Sequence, residues 1–127
     1  MRTRPLLSLF AAALFASACA QVGDTRANVA GNRYLACLNA SADRNLDNPA
    51  SAELIATTAH GECWSEWQAY REQTVASFAA RAKTAEEKQL ARDKADAHLR
   101  QFEFDARKAV MSRVVRRTYG VPASPGR

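Results

Sequence analysis

The spacing of apolar residues along the chain predicts about three amphipathic helices. Tyr34, Leu35, Leu38, Ala42 and Leu46 recur at steps of three and four, which places them on one face of a first helix from about Asn28 to Arg44. Cys37 lies at the edge of that face. Residues 21–28, before it, read as a polar, irregular tether. Asp47-Asn48-Pro49 then ends one helix and starts the next, with Asn48 suited to capping and Pro49 to a first helical turn. The second helix carries the cleanest stripe: Ala52, Ala56, Ala59, Cys63, Trp67, Tyr70, Thr74 and Phe78. Gly61 inside it marks either a close approach of backbones near Cys63 or a kink.

Charge density rises sharply from Arg81 to Asp96. Thr84-Ala85-Glu86-Glu87 matches a capping box. It places a turn near Arg81–Thr84 and a third helix from about Ala85 to Tyr119, ended by Gly120 and Pro122. No Gly or Pro interrupts the stretch before Gly120, so one long helix continuing from the second is the alternative. The third helix has a main stripe of Ala91, Ala95, Leu99, Phe102, Ala106 and Ala109 or Val110. Opposite it, Leu90, Ala97, Phe104 and Met111 recur every seven residues, with Val115 one turn on. A helix apolar on two sides is expected to be buried on both. The first helix or the tether would then cover the second stripe. Otherwise Phe104, Met111 and Val115 form a dimer or partner-helix interface.

The N-terminus follows a different pattern. Met1-Arg2-Thr3-Arg4-Pro5 precedes an almost unbroken apolar run from Leu6 to Ala18, 13 residues long. A basic start, a run of this size and small residues at its end describe a secretory signal peptide, too short to span a bilayer. The expected organisation is a signal peptide over residues 1–20, a helical domain over 21–119 and a disordered tail over 120–127. Ala18-Cys19-Ala20 before Gln21 fits ordinary signal-peptidase cleavage. Ala16-Ser17-Ala18-Cys19 also resembles the bacterial lipobox, departing from its usual Leu where Ala16 stands. That resemblance implies lipidation at Cys19, and Ala20 after it implies anchoring at an outer membrane. The expected location is therefore the periplasm, or the outer membrane as an anchored lipoprotein.

With Cys19 assigned to the signal or to lipid, Cys37 and Cys63 remain, 26 positions apart. An even pair in an exported chain reads as a disulfide. Closing a loop of this length contributes about 3.5 kcal/mol in the chain-entropy model. The staple matters because Leu, Ile, Val and Phe make up only about a sixth of the residues from position 21 on, close to the range where chains fail to build cores. Abundant Ala and a modest net charge argue for folding all the same. That charge is +5 for the whole chain, and less once Arg2 and Arg4 are set aside. The expected fold class is all-α: a small disulfide-linked bundle of thin, Ala-rich helices. A weak, mixed charge on an exported chain excludes nucleic acid as a partner.

Candidate chemistry is sparse. His60, Cys37 and Cys63 would need His98 or a carboxylate to complete four zinc ligands, and a structural disulfide is the expectation instead. His60, Glu62 and Glu66 carry acid–base groups, but no nucleophile elbow, zinc-protease motif or phosphate loop accompanies them. No catalytic residue, metal or cofactor is expected. Trp64 flanks the second stripe and either stacks on a ligand or packs on the third helix. Arg107, Lys108, Arg113, Arg116, Arg117 and Arg127 make the C-terminus basic, with no acid after Asp105. These either touch anionic lipid or cell-wall polymer or complement the helix dipole. The expected function is a non-enzymatic cell-envelope protein that binds a protein partner or itself. A lipoprotein contacting anionic polymer is the first alternative, and a small periplasmic inhibitor or enzyme the second.

Overall fold

The computed structural model describes residues 25–120. The signal segment with Cys19, the tether before Thr25 and the tail after Gly120 lie outside the described residues. Four helices follow in order: α1 (Thr25–Arg44), α2 (Ala52–Glu62), α3 (Trp64–Ala79) and α4 (Ala85–Tyr119). None of them is long and apolar enough to cross a membrane.

The all-α class and the Cys37–Cys63 disulfide are as the sequence predicts; the count of about three helices is not. The expected second helix is two, α2 and α3, meeting at Cys63. There the backbone leaves the helical region, at φ −100° and ψ 24°. The amide ladder hardly notices: Cys63 N–H still donates to the Ala59 carbonyl and Trp67 N–H to the Cys63 carbonyl, at 3.1 and 3.0 Å. A one-residue bend leaves the apolar stripe in phase on either side, so periodicity cannot reveal it. Three neighbours account for the bend. Gly61 weakens the helix, Glu62 is drawn sideways to α1, and the Cys63 sulfur is fixed to α1, with its Cα 5.9 Å from that of Cys37.

Helix ends show how local chemistry sets the boundaries. α4 begins where expected: the Thr84 hydroxyl accepts from Glu87 N–H, and the Glu87 carboxylate accepts from the Thr84 and Lys83 amides. It ends at Gly120, whose φ of +63° favours glycine. α2 is capped by Ser51, which accepts from Leu54 N–H at 3.2 Å, and not by Asn48. Pro49 consequently precedes the helix. α1 starts at Thr25, inside the expected tether, because Ala27, Ala30 and Gly31 carry the Tyr34 stripe further into the core.

The core is built from Tyr34, Leu38 and Ala42 of α1, Ile55, Ala56 and Ala59 of α2, Trp67 and Tyr70 of α3, and Leu99, Ala106, Val110 and Val114 of α4. With few large aliphatics, aromatic rings fill the middle. Trp67 lies 5.1 Å from Tyr34, and Tyr70 lies 4.4 Å from Phe102 between ring centres, close to the range where such pairs attract. The close approach of backbone to neighbour falls at Gly31. A Cβ there would stand 3.0 Å from the Tyr70 ring, whereas at Gly61 it would meet nothing within 4 Å. Gly61 therefore serves no close packing; of its two readings, only the bend is compatible with the structure.

Candidate functional site

Two regions hold the residues with chemical potential: a polar relay under α2, and the outward face of α4. In the relay, Tyr34 is fully buried, and its hydroxyl lies 2.7 Å from His60 Nδ1. Burial raises the phenol pKa well above its ordinary value; Glu103 adds to the rise and Arg107 opposes it. With the imidazole proton on Nε2, the phenol donates and Nδ1 accepts. The other ring nitrogen, Nε2, faces Glu103 Oε1 at 3.8 Å. Glu103 also faces Arg107 at 3.7 Å, and Arg107 donates to Thr57 Oγ1 at 2.8 Å. The chain of contacts joins α1, α2 and α4. A second Tyr–His pair, Tyr70 with His98 at 3.0 Å, joins α3 to α4.

The candidate acid–base groups His60, Glu62 and Glu66 do not come together. Glu62 accepts from Ser41 and from Arg44, and those hydrogen bonds hold its carboxyl below the usual range. Glu66 accepts from Ser65 at 2.8 Å. His60 takes Glu103 instead, a residue from a different helix that sequence spacing could not nominate. Among the described residues no three His, Cys, Asp or Glu side chains gather as a metal site. Cys37 and Cys63 are joined to each other, and His60 and His98 are each engaged by a tyrosine. Trp64 is half-exposed and meets the His60 ring edge-on.

The second stripe of α4 is not covered by α1. Leu90 is 54 % exposed, Phe104 62 %, Met111 36 % and Val115 42 %, while the main stripe is buried. The expectation of burial on both sides fails because α1, α2 and α3 all pack on the inner side of α4. A groove of about 420 Å³ follows Phe104 and Met111, walled by Arg100, Arg107 and Lys108 of α4 and by Glu53 from the first turn of α2. A second, of about 390 Å³, runs beside Leu90 and Phe78 near the α3–α4 turn. Of the basic C-terminal residues, Arg107 is held against the bundle by Thr57 of α2 and Arg113 by Asp43 of α1. Lys108, Arg116 and Arg117 stand exposed, and Arg127 lies outside the described residues.

No protein-family model, curated protein or solved structure matches this chain.

Proposed function

We propose that this is an exported, non-enzymatic cell-envelope protein that works by contact, binding a protein partner or itself through the outward face of α4. The observation that carries the reading is Phe104. A large aromatic stands 62 % exposed at the middle of a 35-residue helix whose other face is used in packing. Exposed apolar seams with polar rims mark interaction surfaces. Export is supported by the N-terminal apolar run and by a disulfide, a bond that persists in oxidising compartments.

Photo-crosslinking in living cells tests this. A crosslinking residue at position 104 or 111 is expected to trap a protein adduct, while one at Glu72, exposed on α3, traps none. Absence of adducts at 104 and 111 overturns the reading. Mass spectrometry of the protein recovered from cells reports the N-terminus. Acyl chains on Cys19 support an anchored lipoprotein, and cleavage after Ala20 supports a freely exported one.

The second reading is contact with anionic lipid or cell-wall polymer. It draws on Arg116 and Arg117, which carry no ion-pair partner among the described residues. Co-sedimentation with vesicles or peptidoglycan at low salt tests it, and loss of binding in an Arg116→Gln/Arg117→Gln variant supports it.

A further inference from the structure

We infer that the occupant of the α4 face is a second copy of this chain, paired antiparallel with its two-fold axis at Ala97. This rests on the reading of that face as an interaction surface and names its partner.

The inference comes from the order of residues along the outward line of α4. Glu86, Leu90, Asp93, Ala97, Arg100, Phe104 and Lys108 all lie on this line, at steps of three and four, and all are exposed. The line is acidic toward its N-terminal end and basic toward its C-terminal end, with an apolar residue in each half and a small one at the centre. Read backwards, it is its own complement. An antiparallel copy centred on Ala97 sets Glu86 against Lys108 of the second copy and Leu90 against Phe104 of the second copy. Asp93 comes beside Arg100 of the second copy, and Ala97 meets itself. Two-fold symmetry repeats each pair, so one register satisfies both halves.

The surroundings agree with this register. Phe104 of one copy arrives where Leu90 and Phe78 border a groove on the other. The charges are available: Glu86, Arg100 and Lys108 have no ion-pair partner among the described residues, and Asp93 accepts only from neutral Gln89. Ala97 at the crossing lets the two helix axes come close. A parallel pairing would place like charges together at each charged position, Glu86 on Glu86 and Lys108 on Lys108. A uniformly anionic membrane would meet Glu86 and Asp93 on the same line.

The paired strip, from residue 86 to 108, is about 33 Å long and one helix wide. That is at the small end of specific interfaces, so the association is concentration-dependent.

Sedimentation equilibrium of the purified, oxidised protein across a concentration series tests the inference. The wild type is expected to move from monomer toward dimer. Glu86→Lys and Lys108→Glu each weaken the dimer, by about tenfold or more, since each reversal breaks two symmetric pairs. Mixing these two variants restores association as a heterodimer, because the lysine introduced at position 86 of one then faces the glutamate introduced at position 108 of the other. The same complementarity makes the Glu86→Lys/Lys108→Glu double variant dimerise alone.

A strict monomer at concentrations up to about 1 mM overturns the inference, as does a dimer indifferent to both reversals. Either result leaves the broader reading intact where position 104 still traps a different protein in cells; an absence of adducts there takes down both.

Discussion

The Tyr34 hydroxyl is hydrogen-bonded to His60 Nδ1 across 2.7 Å, tying the middle of α1 to the end of α2, where His60 in turn faces Glu103 of the groove wall. Tyr34→Phe removes the hydroxyl and leaves a half-buried ring nitrogen without its partner. A loss of about 1–3 kcal/mol in unfolding free energy is expected by denaturant titration. The pH dependence carries a second signature. The phenol pKa is raised on folding, so its stabilisation is complete below the ordinary value of 10.0 and is lost as pH rises beyond it. Alkaline unfolding is expected to start at higher pH in Tyr34→Phe than its overall loss of stability would suggest.

Acid acts on two carboxylates. Hydrogen bonds from Ser41 and Arg44 lower the Glu62 pKa, and the Lys83 and Thr84 amides lower that of Glu87. A depressed carboxyl stabilises the fold above its unfolded pKa, and that contribution is lost as pH falls through the folded value. Melting temperature is expected to drop below about pH 4.5 in the wild type, and the slope is expected to flatten in Glu62→Gln/Glu87→Gln.

Reducing the disulfide, or replacing both cysteines in Cys37→Ser/Cys63→Ser, is expected to cost about 3.5 kcal/mol. In a fold with so few large aliphatics this is a large share of a stability on the order of 5–15 kcal/mol. Circular dichroism melts with and without reductant measure it; equal melts would show that the helices hold without the staple.

The two helical glycines are expected to respond oppositely. At Gly61 a methyl group enters open space, and Gly61→Ala gains up to about 1 kcal/mol from helix propensity. At Gly31 the same methyl lands 3.0 Å from Tyr70, whose ring is already packed on Phe102. Gly31→Ala is expected to lower the melting temperature.

How far these relationships were legible in the sequence depends on their range. The ends of α4 could be read from Thr84, Glu87 and Gly120 because capping is decided within one turn. The bend at Cys63 could not, since Ala59, Cys63 and Trp67 stay in phase across it. Gly31 looked ordinary because its neighbour, Tyr70, arrives from another helix. His60 was visible as a candidate, but its partners Tyr34 and Glu103 are 26 and 43 residues away, on two further helices. The seven-residue recurrence of Leu90, Ala97, Phe104 and Met111 was plain. Its exposure was not, because periodicity gives a face without saying what packs on it.

Whether the outward face of α4 belongs to the surface or to the core is decided most directly by Phe104→Asp. Its thermal melt and its sedimentation at matched concentrations are compared with the wild type. A surface residue leaves the monomer's melting temperature unchanged to within about 0.5 kcal/mol equivalent, and its loss abolishes association. A variant that fails to fold, or melts far earlier as a monomer, would place Phe104 in the core and contradict the α4 face as an interaction surface.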